Sequence, residues 1–111
     1  MAERRHFKVQ WSPVALADIE RLAVFLLAES PLRAEAIVDR IIARADSLST
    51  TPSRGRAVPE LRGVADASWR ELQETPWRII YQVHGHGVIM IHAVIDGRRD
   101  LQDILLERLL C

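Results

Sequence analysis

The side chains of this sequence that could take part in chemistry are concentrated between Trp69 and Asp100, in WRELQETPWRIIYQVHGHGVIMIHAVIDGRRD. This segment carries arginines at Arg70, Arg78, Arg98 and Arg99, a glutamate at Glu71 and the single tyrosine, Tyr81. The arginine side chain is a planar fork that pairs with phosphate or carboxylate groups, and glutamate and tyrosine can exchange protons with a substrate. The segment therefore has the residue types of a site for an anionic partner.

The dibasic pair Arg98-Arg99 is the first candidate for contact with a target molecule. It follows Asp96-Gly97, which ends an apolar run, so both side chains are predicted to face solvent without contributing to a core. The alternative is an ion pair with Asp100 or Asp103, an arrangement that is common on protein surfaces and weak.

Arg70 and Arg78 are further candidates for target binding, but they could instead pair with Glu71 or Glu74 on neighbouring strands. Such pairs are worth well under about 1 kcal/mol when they are exposed. Tyr81 alternates with its apolar neighbours along the same run, which predicts a core position and not a catalytic one.

The histidines and tryptophans do not form a second site. His84 and His86 lie in a glycine turn and His92 lies in the middle of an apolar run, with no carboxylate or thiol placed to complete a tetrahedral set. No metal and no cofactor is therefore predicted. The tryptophans could stack on nucleic-acid bases, but each fits a strand position where core packing is expected; they are Trp11, Trp69 and Trp77.

The first half of the chain predicts one strand and two helices. Phe7 to Trp11 alternates apolar and polar residues, as in a half-buried strand. Ser12-Pro13 and then Ser30-Pro31 have the pattern of an N-cap serine followed by proline at the first helical position. Each is followed by apolar residues at helical spacing, and Thr51-Pro52 ends the second helix. Such a helical hairpin needs a partner for its apolar faces.

The second half predicts that partner, a sheet. Ser53 to Ala67 has no sustained period and is assigned to a loop. The following three apolar runs are short and separated by turn residues, which predicts an antiparallel meander; they are Trp69–Gln73, Trp77–Val83 and Val88–Ile95. Leu101 to Leu109 predicts a short last helix. The expected fold is α+β, in the order β-α-α-β-β-β-α, with the hairpin on one sheet face.

Composition limits the class of protein. With 111 residues, 49% of them hydrophobic, the chain fits one domain spanning residues 1–111 with a core of its own. Its formal net charge of zero argues against binding nucleic acid through net charge. A single cysteine excludes an internal disulfide, no run is long enough to span a bilayer, and no export signal opens the sequence. These features predict a cytoplasmic protein.

Several phrases in order resemble the RelE/ParE superfamily of toxins over nearly the whole chain. They are RAVPELRG from Arg56 to Gly63, WREL from Trp69 to Leu72, WRIIY from Trp77 to Tyr81, and DGRRDL from Asp96 to Leu101. The resemblance implies the toxin of a type II toxin–antitoxin system, held inactive by an antitoxin. In the ParE branch it implies a ParD-like, ribbon-helix-helix antitoxin and DNA gyrase as target, with no sequence-specific nucleic-acid binding by the toxin alone.

The two branches of the superfamily imply different chemistry. RelE-like members cleave messenger RNA on the ribosome, which requires activation of the ribose hydroxyl, stabilisation of phosphate charge and protonation of the leaving oxygen. Glu71 and Arg78 could serve as base and clamp, but no histidine or tyrosine follows the last strand to act as the acid. The residues therefore favour a ParE-like gyrase poison with no catalytic residues. A RelE-like endoribonuclease and a decayed toxin that only binds its antitoxin remain the alternatives.

The last predicted helix has more apolar side chains than a helix this short can bury. They are Leu105, Leu106, Leu109 and Leu110. An antitoxin segment is expected to dock beside this helix or at the sheet edge, burying roughly 1,500 Å² or more in total.

Overall fold

A five-stranded sheet with two helices on one face forms the fold. The computed structural model describes residues 6–98, 104, 107 and 108. Its elements are β1 (Lys8–Trp11), α1 (Pro13–Glu29), α2 (Ala34–Asp46), β2 (Arg56–Ala57), β3 (Trp69–Glu74), β4 (Trp77–His84) and β5 (Val88–Asp96). The strand order is β1-β5-β4-β3-β2, with β1 parallel to β5 and the other pairs antiparallel. The predicted α+β fold and its meander are confirmed.

The first helix begins as predicted, and the second begins later. The Ser12 hydroxyl accepts a hydrogen bond from the Ala15 N–H at 3.1 Å, with Pro13 opening α1. The Ser30 N–H instead donates to the Leu26 carbonyl at 2.7 Å, so Ser30 ends α1 and does not start α2. The prediction that Ser30-Pro31 opens a helix is therefore wrong by a few residues, because this serine closes the helix before it.

The main core lies between the helical hairpin and the sheet, as predicted. It contains side chains of both helices and of the three central strands: Ala15, Ile41, Ala45, Leu48, Leu72, Ile79, Tyr81, Ile89, Ile91 and Val94. Trp11 and Trp77 pack against it as partly buried side chains. Tyr81 is fully buried, in agreement with its predicted core position.

A second, smaller core covers the opposite face of the sheet. The segment predicted to be loop contains β2 and a turn of 3₁₀ helix at Pro59–Leu61. Val58 and Leu61 are buried there against Ile80, Ala93 and Ile95. The central strands are apolar on both faces because both faces are covered. The prediction of an irregular loop was incomplete, since these contacts join residues far apart in sequence and leave no local period.

Strand β5 contains a β-bulge, and beyond the bulge it contacts α1. Ile80 pairs with Ala93 and Tyr81 with Ile91, so His92 is the extra residue and the strand changes register there. Beyond the bulge, the Val94 N–H donates to the buried carboxylate of Asp18 on α1 at 2.9 Å. Arg108 donates to both oxygens of the same carboxylate, at 2.8 and 2.9 Å. Ile104, Glu107 and Arg108 are helical; the rest of the predicted last helix lies outside the described residues.

Candidate functional site: the arginine cluster

The predicted arginines of β3 and β4 lie on opposite faces of the sheet. Arg70 pairs in register with Tyr81, whereas Arg78 pairs with Gln73. Residues opposite each other in an antiparallel pair share a face, and neighbours along a strand alternate. Arg70 therefore lies on the helix-covered face with Tyr81, and Arg78 lies on the face of the second core. The two side chains cannot form one continuous patch.

Arg78 is held by two carboxylates. Its Nη1 and Nη2 donate to Glu60 Oε2 and Oε1, each at 2.7 Å, in a bidentate pair. Its Nε donates to Glu71 Oε2 at 2.8 Å, and Nη2 also donates to Glu71 Oε1. Arg56 Nη2 reaches Glu71 Oε2 at 3.5 Å. Arg98, which pairs with Asp96, lines the same cavity as Arg56 and Arg78. We name these three arginines, with their partners Glu60, Glu71 and Asp96, the arginine cluster.

Burial makes the Arg78 contacts structural. The Glu71 side chain is fully buried and that of Arg78 is 10% exposed. The hydrogen bonds that Arg78 donates to Glu60 raise the pKa of Arg78 above its ordinary value, and the same pairing lowers the pKa of Glu60. A buried carboxylate needs a partner because burial without one is costly. Arg78 therefore neutralises the buried charge of Glu71. Glu60, in the 3₁₀ turn, accepts the other hydrogen bonds of the Arg78 guanidinium.

Tyr81 and Arg70 hold the chain that leads into β2. The Tyr81 hydroxyl donates to the Pro52 carbonyl at 2.8 Å and accepts from the Gly55 N–H at 3.0 Å. Arg70 Nη1 donates to the Gly55 carbonyl at 2.6 Å. Burial raises the pKa of Tyr81 above its ordinary value, so the hydroxyl keeps its proton at neutral pH. Tyr81 and Arg70 therefore act as hydrogen-bond partners of the backbone at Pro52 and Gly55.

Arg98 lies at the solvent-facing end of the cluster. Its side chain is 76% exposed and pairs with Asp96, with Nη2 at 2.7 Å from Oδ2. The preceding Gly97 packs on Arg78, where a Cβ would lie 2.8 Å from Arg78 Cδ. An open cavity of about 360 Å³ here is lined by Arg56, Gln73, Thr75, Pro76, Trp77, Arg78, Gly97 and Arg98. Close packing at Gly97 thus places Arg98 beside Arg78.

The structure brings together part of the predicted site. Arg78 and Arg98 line one cavity, Arg70 does not, and Arg99 lies outside the described residues. So do Leu105, Leu106, Leu109 and Leu110. Arg56 and Glu60 were missed as site residues, and the only signal for them was the local excess of arginine in the segment assigned to loop.

Other kinds of site have little support in the described part of the chain. No group of three or more metal-ligating side chains is close enough there to hold an ion. His92 accepts or donates a hydrogen bond with Gln82 at 3.3 Å and its ring lies 4.5 Å from that of Trp69. Among residues 6–98, 104, 107 and 108, no helix is long and apolar enough to cross a membrane.

Comparisons with known proteins identify relatives of this chain. Residues 9–101 match the model of a family described as the ParE toxin of the type II toxin–antitoxin system parDE. The chain is 33% identical over 92 residues to a protein named Toxin RelE2 from Caulobacter vibrioides. This match covers 83% of the present chain and 97% of that protein.

Two solved structures share the fold. One is from the chromosomal ParDE system of P. aeruginosa, with a TM-score of 0.66, 19% identity, and coverage of 83% of this chain and 97% of that one. The other is from the RelBE2 toxin–antitoxin complex of Mycobacterium tuberculosis, with a TM-score of 0.60, 16% identity, and coverage of 86% and 97%. At these identities the likeness concerns the fold, which the two toxin branches have in common.

Proposed function

Because this chain belongs to the family of ParE toxins of type II toxin–antitoxin systems, we propose that it inhibits growth by binding a target and not by catalysis. The proposed target is DNA gyrase, and the proposed neutralising partner is a ParD-like antitoxin with a ribbon-helix-helix domain. Arg98 and Arg99 are the proposed target contacts, with Arg78 supporting the surface behind them. Arg70 was also a predicted target contact, but it lies on the other face of the sheet and is not part of that surface. Growth inhibition then requires no cofactor and no catalytic residue.

The observation that carries this proposal is that the candidate catalytic groups are already occupied. Arg78 is bonded to Glu60 and Glu71, and Tyr81 is bonded to Pro52 and Gly55. A general base or acid must reach the proton that it transfers, and a phosphate clamp must have donors to offer. Glu71 has no exposed surface on its side chain, so it could act only after the cluster opened.

A RelE-like endoribonuclease is the second candidate, and two observations favour keeping it. The curated relative from Caulobacter vibrioides is named Toxin RelE2, and Arg78, Arg98 and Arg56 line one cavity. Three arginines could stabilise charge on a scissile phosphate. Among the described residues, however, the cavity is lined by no histidine, tyrosine or carboxylate that could protonate a leaving oxygen.

The proposed antitoxin partner is supported by the solved structures that share the fold. The solved structures of similar fold come from toxin–antitoxin systems, ParDE and RelBE2. We extend this arrangement to the present chain and propose that one antitoxin segment covers the leucines near the end of the sequence, Leu105, Leu106, Leu109 and Leu110. Binding would bury apolar side chains that a short helix cannot bury alone.

The branch is tested by inducing the chain without antitoxin and mapping transcript 5′ ends while DNA breaks and replication are followed in the same cultures. We expect DNA breaks and replication arrest with an unchanged pattern of transcript ends. Discrete cleavages within codons would contradict the proposal and favour the ribonuclease. Arg62→Ala is the control variant, because Arg62 lies between β2 and β3 but does not line the cavity. It should give the same result as the unsubstituted chain.

A further inference from the structure

Asp18 is a buried charged residue of α1 that lies outside the arginine cluster. Its side chain is 4% exposed. Its Oδ1 accepts hydrogen bonds from Arg21 and Arg108, and its Oδ2 accepts from Arg108 and from the Val94 N–H, all at 2.8 or 2.9 Å. Replacing a buried ion pair by apolar side chains is often neutral or stabilising. Stability alone is therefore a weak reason for an aspartate at this position.

The bond to Val94 is made where β5 loses its neighbour on one side. Strand β1 pairs with β5 only as far as Ile91, and the chain then enters α1 at Pro13. Val94 lies beyond that point, with Ile79 of β4 opposite it on the other side. The Asp18 carboxylate therefore takes the place of a strand partner and fixes the end of β5 against α1.

The end of β5 is also held on the side of β4. The Gly97 N–H donates to the Pro76 carbonyl at 2.7 Å, and the Arg98 N–H donates to Asp96 Oδ1 at 2.9 Å. Arg98 thus follows a strand end that is fixed on both sides, by Asp18 and by the turn between β3 and β4. Because the Arg98 side chain is 76% exposed, the backbone below it largely decides where it can reach.

The same carboxylate binds a residue further along the chain. Arg108 pairs with Asp18 through Nη1 and Nη2 in a bidentate arrangement, which is a geometrically specific contact, and its side chain is 29% exposed. Asp18 is therefore bonded at both ends of segment 94–108, whose sequence includes Arg98 and Arg99. Closing a segment at both ends reduces its conformational freedom, and a restricted segment loses less entropy when a partner binds.

We propose that Asp18 is a positioning residue for the target contacts. By holding both ends of segment 94–108, its carboxylate keeps Arg98 and Arg99 in the arrangement that the target recognises. This inference rests on the proposed function, in which those two arginines contact the target. Arg21 is bonded to the same carboxylate, but it is 68% exposed and lies on α1 itself, so it adds positive charge without tying down the segment.

The test compares Arg108→Met with Arg21→Met, because each removes one arginine from Asp18 but only the first releases segment 94–108. Growth inhibition is scored in cells without antitoxin, and hydrogen exchange of the purified chains is followed by mass spectrometry. Arg108→Met should lose most of its growth inhibition and exchange about tenfold faster within the segment, with β3 and β4 unchanged. Arg21→Met should behave like the unsubstituted chain. Arg108→Lys, which keeps the charge but not the fork, should fall between them.

The outcomes separate this inference from the proposed function. Unchanged exchange in Arg108→Met would overturn the inference, because the pair would not hold the segment. Faster exchange with full growth inhibition, equal effects of Arg21→Met, or faster exchange that extends to β3 and β4 would overturn it as well. Each of these results leaves the target contacts standing if Arg98→Ala with Arg99→Ala is not toxic. If that double variant stays toxic, the proposed contacts and this inference both fail.

Discussion

The arginine cluster and the cavity between α1 and α2 differ in how far their side chains are buried. We name this cavity the helical groove; it is lined by Ala23, Leu27, Ala34, Glu35, Val38 and Asp39. In the cluster, Arg78 is bonded to two carboxylates and is almost fully buried. In the groove, Leu27 is 60% exposed, and Glu35 and Asp39 are exposed as well. A residue type that suggests binding, arginine, is here used largely for stability. An apolar residue type that suggests a core, leucine, is by contrast exposed to solvent at Leu27.

Burial, and not residue type, therefore decides whether a side chain stabilises the fold or remains exposed on the surface. Glu71 and Arg78 stabilise the sheet because neither can be removed without leaving the other buried charge with fewer partners. Leu27 contributes little to the fold because it remains in contact with water. Substitutions in the two regions should therefore affect different properties of the molecule.

The largest expected effect comes from Arg78→Ala. Among the described residues, it leaves the buried Glu71 carboxylate with one weak cationic partner, the exposed Arg56 at 3.5 Å. It should lower the free energy of unfolding by about 3–5 kcal/mol. Denaturant titration measures this loss. Replacing Arg78 by Met together with Glu71 by Leu should recover much of it, because the uncompensated charge is gone. Equal losses in the single and double variants would contradict a stability role for the pair.

Two neighbouring leucines compare the inner and outer sides of α1. Leu26 is 4% exposed and Leu27 is 60% exposed. Leu26→Ala should cost roughly 2–5 kcal/mol, the range for buried leucines, whereas Leu27→Ala should leave the free energy of unfolding within about 0.5 kcal/mol. Thermal or denaturant unfolding of both variants provides the measurement. A large loss for Leu27→Ala would mean that the groove supports the fold.

Gly55→Ala tests the contacts behind the arginine cluster. A Cβ at this position would overlap the Glu71 carbonyl and lie 2.6 Å from the Tyr81 hydroxyl. We expect a loss of about 1–3 kcal/mol, as for other overpacked sites. Gly85→Ala is the control, since a Cβ there meets nothing within 4 Å. Two variants of equal stability would show that the β2 segment can move away from β3.

The smallest effect is a dependence of stability on pH. Pairing with Arg78 lowers the pKa of Glu60 below its ordinary value of 4.5. The unfolded chain then takes up a proton more readily than the folded one, so this contribution to stability is full above about pH 4.5 and is lost as the pH falls through the folded-state value. Glu60→Gln should flatten the acid limb of the stability profile. An unchanged limb would exclude Glu60 as its source.

Local patterns predicted the elements that form through local contacts. The Ser12-Pro13 start of α1, the meander and the position of Tyr81 followed from capping and alternation. The covering of the second face by Val58 and Leu61 did not, because these residues lack a period and their partners lie in β4 and β5. The bulge at His92 likewise has no local signal, because it is visible only in the register of β5 against β4.

The candidate site was only partly predictable for a related reason. Two residues, Thr75 and Pro76, connect β3 to β4 and fix the register of the hairpin, so the opposite orientations of Arg70 and Arg78 could have been inferred. The burial of Glu71 could not, because its partner Arg78 is itself paired with Glu60 from a segment without a recognisable pattern. Charge pairing between distant segments has no local signal.

The central claim, that Arg98 and Arg99 contact the target and are not needed for antitoxin binding, is tested most directly by growth of cells that express variants with and without the antitoxin. Arg98→Ala with Arg99→Ala should lose growth inhibition yet still bind antitoxin, with a nearly unchanged melting temperature. The unsubstituted chain should inhibit growth only when antitoxin is absent. The claim is contradicted if the double arginine variant remains toxic, or if it no longer binds antitoxin.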